Sequence, residues 1–140
     1  MMEPESIEID FVTEWDIDEI VDLYKSADWW KEKYDKSKLP QLIKGSFVFA
    51  IAIDKRTNKA IGMGRVLSDG ISDGYIQDVV ILPNYRKKGI GRDIINKLIE
   101  FCQSKGVEWI GLISEPGQSE FYLPLGFKEM KNYTPMKYEM

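Results

Sequence analysis

The chain has 140 residues, of which 44% are hydrophobic and 12% aromatic, enough for one domain with a single core. Its formal net charge is -4, it has no histidine, and its one cysteine is Cys102. This composition excludes an intramolecular disulfide, the usual histidine-dependent triads and most zinc sites. We therefore predict one domain over residues 1–140, with no metal and, because the chain is acidic, no nucleic-acid partner.

The sequence also predicts neither a targeting signal nor a membrane span. No apolar run approaches the roughly 20 residues of a membrane span. The polar segment Met1–Ser6 lacks the basic and apolar regions of a signal peptide. A lone cysteine fits a reducing compartment. We expect a cytoplasmic protein with no membrane partner, and only Met1–Glu5 outside the ordered domain.

The first third of the chain predicts one strand and two helices. Alternating apolar and acidic residues predict a half-buried strand over Ser6–Val12. Thr13 is the predicted N-cap of a helix that extends to Tyr24, with a variant of the capping box. A second, short helix is predicted over either Trp29–Tyr34 or Lys38–Lys44.

The middle third predicts a hairpin, a central strand and a long helix. Ser46–Asp54 and Ala60–Leu67 flank a polar turn and are typical of a hairpin. The long apolar run Tyr75–Leu82 is typical of a central strand. An apolar stripe over Ile90–Cys102 then predicts a helix, which Gly106 ends.

The last third predicts three strands and one helix. The strands are expected over Val107–Ser114, Phe127–Met130 and Met136–Met140, and the helix from Pro116 to about Leu125. The full order is β-α-α-β-β-β-α-β-α-β-β. This order predicts an α/β (α+β) fold in which helices cover both faces of a mixed sheet.

The segment Pro83–Arg92 joins the central strand to the long helix. Four of its ten residues are basic, none is acidic, and it contains Gly89 and Gly91. Backbone N–H groups at a helix start, the helix dipole and basic side chains together form phosphate sites. A Walker loop is excluded because no Lys-Ser or Lys-Thr pair follows a glycine, and a dinucleotide fingerprint because Ile94 stands where the third glycine belongs. The alternative is a solvated charged loop.

Two motifs in this chain resemble those of the GNAT superfamily of acetyl-CoA-dependent N-acetyltransferases. Arg86, Gly89 and Gly91 match motif A, Arg/Gln-x-x-Gly-x-Gly/Ala, and Phe121–Phe127 resembles motif B, Phe-Tyr-x-x-x-Gly-Phe. The predicted element order also agrees with that of the family. The resemblance implies the GNAT fold, acetyl-CoA as the donor, coenzyme A as a product and a primary amine as the acceptor.

The resemblance also implies a set of cofactor contacts. The loop amides are expected to cradle the pyrophosphate, and the main chain of the preceding strand to pair with the pantetheine arm as an added strand would. The implied cofactor-binding residues are Val79, Val80, Ile81, Arg86, Lys87, Lys88, Gly89, Ile90, Gly91, Arg92 and Phe121. The side chains of Lys87, Lys88 and Arg92 are expected either to contact the 3′-phosphate or to face water.

Two residues are candidates for the chemistry. Tyr122 matches the tyrosine that many family members use as general acid toward the CoA sulfur, and the alternative is an ordinary buried aromatic. Asp78 is the candidate base or ammonium ligand, because an unpaired carboxylate inside an apolar strand is costly. The alternative for Asp78 is a structural ion pair, for which Arg65 is the candidate partner. Glu115 departs from the asparagine that many family members have there and is expected only to favour the next helix start.

The first two helices and their loop usually cover the acceptor site in this family. Trp29 and Trp30 are therefore predicted substrate-binding residues, with core packing as the alternative. Arg65, beside Asp78, is predicted to bind substrate as well. An aromatic wall suits an aromatic or cationic amine, so a small-molecule amine is the expected acceptor. A protein or peptide amine and a non-catalytic acyl-CoA-binding module are the alternatives. The resemblance is also compatible with a homodimer, because dimerisation is common in the family.

Overall fold

The computed structural model describes residues 6–140, and the expectation for Met1–Glu5 lies outside them. Within the described residues, five strands form one mixed sheet in the order β1-β2-β3-β4-β5. The strands are β1 (Ile7–Phe11), β2 (Val48–Asp54), β3 (Lys59–Ser68), β4 (Asp73–Ile81) and β5 (Trp109–Gly111). The first three pairings are antiparallel and the last, between β4 and β5, is parallel.

Four α-helices accompany the sheet in residues 6–140. They are α1 (Ile17–Ser26), α2 (Leu39–Gly45), α3 (Ile90–Ser104) and α4 (Ser119–Tyr122). None of the helices in this part of the chain is long and apolar enough to cross a bilayer. The elements confirm the predicted mixed α/β fold.

The strand β2 is buried along its whole length and divides the core into two layers. Its residues Phe49, Ile51 and Ile53 pack in the cluster that contains the apolar residues of α1 and α2. Ala50 and Ala52 pack in the other cluster, with the apolar stripe of α3. Successive side chains of a strand point to opposite faces, so both faces of the sheet need a helical cover. The prediction of helices on both faces is confirmed.

The start of α1 differs from the prediction. Asp16, not Thr13, is the N-cap, and its carboxylate accepts a hydrogen bond from the backbone N–H of Glu19 at 3.1 Å. The Glu19 side chain in turn accepts a bond from the indole N–H of Trp15 at 2.9 Å. Because of these local bonds, α1 begins after Asp16 and not after the predicted N-cap, Thr13. α2 agrees with the second of its two predicted positions, and Trp29–Tyr34 is not helical.

The two closing strands predicted over Phe127–Met130 and Met136–Met140 are wrong, since neither segment of the described chain is a strand. The preceding strand is also short, because β5 has three residues. Side chains over residues 128–140 are exposed, so no apolar burial offsets the entropy cost of ordering a strand there. Pro135 and the left-handed Asn132, with φ 67°, further interrupt an extended backbone.

A buried carboxylate anchors the basic segment Pro83–Arg92, called the basic loop from here on, to the sheet. Asp54, at the end of β2, is 1% exposed. It accepts hydrogen bonds from the backbone and guanidinium of Arg56 and, at 2.6 Å, from the hydroxyl of Tyr85 in the basic loop. These bonds hold the pKa of Asp54 well below its ordinary value, and the bonds from the Arg56 side chain contribute most to this shift. The cluster therefore ties the loop to the turn between β2 and β3.

This lowered pKa predicts an acid-sensitive contribution to stability. A carboxyl whose pKa is lowered on folding stabilises the protein above its unfolded pKa, about 4, and the stabilisation is lost as the pH falls further. Asp54→Asn should therefore lower the melting temperature at neutral pH and weaken its fall below about pH 4. Melting curves over a pH series measure both effects.

Asp22→Asn is the matched control, because Asp22 is an exposed carboxylate on α1. It should leave the melting curves unchanged. If Asp54→Asn gave a pH dependence parallel to that of the wild type, the Asp54 cluster would not be the source of the acid sensitivity.

Candidate active site

The candidate site opens where β4 and β5 separate. These strands are in register over three pairs, from Asp73–Trp109 to Tyr75–Gly111, and their pairing ends there. β4 then continues to Ile81, whereas β5 gives way to a loop. A cleft of about 880 Å³ lies between the two diverging segments.

Four segments of the fold line this cleft: the end of α1, the second half of β4, the basic loop with the start of α3, and the stretch from β5 to α4. The predicted site residues among its lining are Trp29, Asp78, Val79, Val80, Ile81, Arg86, Lys87, Gly89, Ile90, Gly91, Arg92, Phe121 and Tyr122. Trp30, Arg65 and Lys88 are not among the lining residues. Nowhere in residues 6–140 do three or more His, Cys, Asp or Glu side chains form a group that could hold a metal ion.

The basic loop has the backbone of an anion site. Lys87 and Gly89 are left-handed, with φ 63° and 84°. Gly89 is also the N-cap of α3, and no side chain caps this helix. The first N–H groups of the helix therefore remain available to a ligand, and turns of this kind form concave anion sites.

Two side chains of the motifs shape this loop from either side. The guanidinium of Arg86 turns back and donates a hydrogen bond to the carbonyl of Ile81 at 2.8 Å. The ring of Phe121 lies so close to Gly91 that an added Cβ would be 3.2 Å from it. Gly91 therefore lets the Phe121 ring of α4 pack closely against the start of α3, and a larger residue would force this ring to shift.

Asp78 lies at an irregularity in β4 and is held by two partners. Its φ of 60° is left-handed, and the register with β3 shifts between Met63 and Arg65. Its Oδ2 atom accepts hydrogen bonds from Arg65 Nε at 2.7 Å and from the Tyr24 hydroxyl at 2.8 Å. Burial and the charge of Asp78 raise the pKa of Tyr24, so this hydroxyl stays a donor. The ion pair with Arg65 is the arrangement that the sequence offered as the structural alternative.

Tyr122 lines the cleft within an aromatic group whose Phe121 packs against Gly91 at the start of α3. Its ring makes edge contacts with Phe121 and Phe127, at centroid distances of 4.9 and 5.7 Å. Burial raises the pKa of the Tyr122 hydroxyl, and the negative charge of Glu115 raises it further. The hydroxyl is therefore protonated throughout the neutral range.

The two tryptophans after α1 have different surroundings. The indole N–H of Trp29 donates a hydrogen bond to Glu115 at 2.9 Å, and both residues line the cleft. Trp30 instead packs against Tyr24 and Tyr34. Sequence reasoning gave Glu115 no role in the cleft, although its departure from the family's asparagine was a signal that could have drawn attention to it.

Comparison with known proteins supports the family resemblance that motifs A and B indicate. The sequence profile of the acetyltransferase (GNAT) family matches residues 9–127. The chain is 32% identical over 111 residues to the uncharacterized N-acetyltransferase ycf52 of Pyropia yezoensis, a match that covers 78% of this chain. It spans 63% of that relative, less than two thirds of its length.

Two solved structures share the fold. A GNAT-family acetyltransferase from Streptococcus pneumoniae has a TM-score of 0.79 and 23% identity, over 96% of this chain and 98% of that one. AAC(6′)-Iy, solved with the bisubstrate analog CoA-S-monomethyl-acetylneamine, has a TM-score of 0.74 and 17% identity, over 96% and 99% of the two chains. At these identities the likeness shows the fold alone.

The pair between Asp78 and Arg65 predicts a large stability effect. Both side chains are mostly buried, with 21% and 12% exposure. Asp78→Asn leaves the guanidinium without its counter-charge and should lower the free energy of unfolding by about 3 kcal/mol. Denaturant unfolding measures this loss.

A double-mutant cycle with Arg65→Met provides the control. The double variant leaves neither charge unpaired. Its loss of unfolding free energy should therefore be smaller than the sum of the losses of the two single variants. Additive losses would contradict a direct ion pair.

Proposed function

The chain belongs to the GNAT family of acetyltransferases, and on this premise we propose that it transfers the acetyl group of acetyl-CoA to a primary amine of a small molecule. The observation that carries the proposal is the cleft between the diverging strands β4 and β5. The basic loop, with Gly89 at the start of α3, and Tyr122 both line this cleft.

The residues of the cleft fit acetyl-CoA. The uncapped N-terminus of α3 and the left-handed loop supply N–H donors for the pyrophosphate. Arg92 and Lys87 line the same region and add positive charge. The edge of β4 over Val79–Ile81 no longer pairs with β5. Backbone groups on this edge, other than the Ile81 carbonyl that accepts from Arg86, are therefore available to the amides of the pantetheine arm. When bound, acetyl-CoA supplies the activated thioester.

Transfer forms a bond between the amine nitrogen and the acetyl carbon and breaks the bond between that carbon and sulfur. The amine must lose a proton, and the leaving thiolate must gain one. We assign the second transfer to Tyr122, whose hydroxyl gives its proton to the sulfur and regains one from solvent. Its raised pKa keeps this proton in place at neutral pH until the thiolate forms.

The role of Asp78 stays a prediction. Its Oδ2 atom already accepts bonds from Arg65 and Tyr24, which supports a role in holding the irregularity of β4. Removal of the amine proton by Asp78, directly or through water, would have to use a carboxylate that is engaged in this ion pair. Arg65 pairs with Asp78 but is not among the residues that line the cleft. We therefore propose it as the partner of Asp78 and not as a substrate ligand.

A small acceptor is favoured by the bond between Trp29 and Glu115. It joins two segments that line the cleft, one after α1 and one after β5. A peptide acceptor would need an open groove between these segments, and this bond crosses between them. We therefore rank a small-molecule amine above a protein amine.

The left-handed Gly89 provides a test of the cofactor site. Alanine in this conformation costs about 1–2 kcal/mol, so the loop of Gly89→Ala should relax in the free protein and have to be re-formed on binding. The dissociation constant for acetyl-CoA should rise roughly 5- to 30-fold, as measured by calorimetry.

Gly106→Ala is the matched control. Gly106 is also left-handed, with φ 83°, and an added Cβ there would meet nothing within 4 Å. It lies after the far end of α3, so this variant should lose stability but keep the wild-type affinity. Equal effects of the two variants on affinity would contradict a local role for the loop.

The Tyr122 hydroxyl provides a test of the chemistry. Tyr122→Phe keeps the ring and its aromatic neighbours but removes the proton donor, so kcat should fall by roughly 100-fold or more. The affinity for acetyl-CoA should not change. Because the pKa is raised, the wild-type kcat should show no loss from this group below about pH 10.

Tyr133→Phe is the control, since Tyr133 is 73% exposed. Full turnover by Tyr122→Phe at saturating substrates would remove Tyr122 from the role of acid. Acetyl-CoA binding without thiol release for any amine in a broad library would instead favour a non-catalytic acyl-CoA-binding module.

A further inference from the structure

The contact between Trp29 and Glu115 joins two segments of the cleft that are 86 residues apart in sequence. The indole N–H is a neutral donor, and the carboxylate of Glu115 carries a full negative charge. A second cleft carboxylate, Asp78, is paired with Arg65. Within residues 6–140, no Lys or Arg nitrogen lies within 4.0 Å of the Glu115 carboxylate. Glu115 therefore presents a charge to the cleft that only a neutral group contacts.

The position of the Trp29 ring is fixed by its neighbours. Its backbone N–H donates to the carbonyl of Tyr24 at 3.0 Å, and its ring lies 6.4 Å from the Tyr24 ring. Tyr24 is itself held by Asp78 through its hydroxyl. The indole is therefore a supported aromatic surface beside an unpaired carboxylate, which is the combination that binds an organic cation.

The charges of the cleft are divided by position. Arg86, Lys87 and Arg92 lie on the side of the basic loop, which suits an anionic donor. Glu115 and Asp28 lie on the side of α1 and the β5–α4 segment. A cationic acceptor would meet unpaired negative charge on this second side, since the cleft carboxylate of Asp78 is paired with Arg65.

We propose that Glu115 and Trp29 bind a cationic centre of the acceptor other than the amine that is acetylated. The preferred acceptor is then a diamine or polyamine. The reacting nitrogen must be neutral to attack, and a carboxylate that pairs with an ammonium stabilises its protonated form. Glu115 therefore favours catalysis when it holds a second ammonium and leaves the first free to lose its proton. This proposal rests on the proposed acetyltransferase function.

Matched pairs of acceptors test the proposal. Thiol release at saturating acetyl-CoA is measured with putrescine and butylamine, and with longer diamines and their monoamine counterparts. The wild type should have a higher kcat/KM for the diamine of each pair. Glu115→Gln keeps the acceptor for the Trp29 indole but removes the charge. It should lower kcat/KM for diamines roughly 10- to 100-fold, mainly through KM, and change it much less for monoamines, which respond only through the effect of Glu115 on Tyr122.

Two further variants separate charge from structure. Glu120→Gln makes the same change on α4, outside the cleft lining, and should leave both substrate classes unchanged. Trp29→Phe removes the indole N–H but keeps an aromatic ring and the Glu115 charge, so its effect on diamines should be much smaller than that of Glu115→Gln. If both variants lowered kcat/KM equally for diamines and for monoamines, Glu115 would have a structural role and the proposal would be overturned.

The remaining outcomes also decide the question. Turnover of monoamines and diamines with equal kcat/KM, unaffected by Glu115→Gln, would overturn this proposal and leave the acetyltransferase function intact. An equal loss of kcat for both classes would make Glu115 part of the chemical step and not a specificity residue. Acetyl-CoA binding with no turnover of any amine would overturn the proposed function and this proposal together.

Discussion

The end of pairing between β4 and β5 is the constraint on which the candidate site depends. After Tyr75 and Gly111 the two strands no longer exchange hydrogen bonds, so one edge of β4 faces a cleft. Backbone groups at such an edge need partners, and an extended ligand with amide groups can supply them as an added strand would. The same divergence makes room for the start of α3 and for α4, which approach each other at Gly91 and Phe121. The opening is therefore a property of the sheet and not of a single loop.

β4 must remain attached to β3 while it leaves β5, and the irregularity at Asp78 lies where this happens. A left-handed residue inside a strand is strained, although aspartate tolerates the conformation better than most residues. The bonds from Arg65 and Tyr24 are charge-assisted and offset this strain. Tyr24 belongs to α1 and Arg65 to β3, so one carboxylate joins the helix layer to the sheet beside the cleft. These contacts alone therefore explain why an acidic residue is found at position 78, whether or not Asp78 also takes a proton from the amine.

The sequence was sufficient for features that depend on local patterns. The apolar stripe of α3 and the glycines of the basic loop predicted the helix and its start, because periodicity and backbone freedom are properties of neighbouring residues. The strands expected over Phe127–Met130 and Met136–Met140 failed, because a strand needs a partner and β5 is too short to offer one. The N-cap of α1 and the bond from Trp29 to Glu115 depend on which side chains meet in space, which spacing does not determine.

The division of charge within the cleft connects donor, acceptor and acid. The chain is acidic overall, yet one side of the cleft is basic, so the net charge of -4 says little about what the cleft binds. An anionic donor on the basic side and a cationic acceptor on the side of Glu115 would each be attracted without competing for the same groups.

Glu115 also raises the pKa of Tyr122, which keeps the hydroxyl proton in place. A cation bound at Glu115 would partly cancel this effect and lower the pKa of Tyr122 when the acceptor is present. In the proposed mechanism, acceptor binding would therefore make Tyr122 a stronger acid at the moment when the thiolate needs its proton.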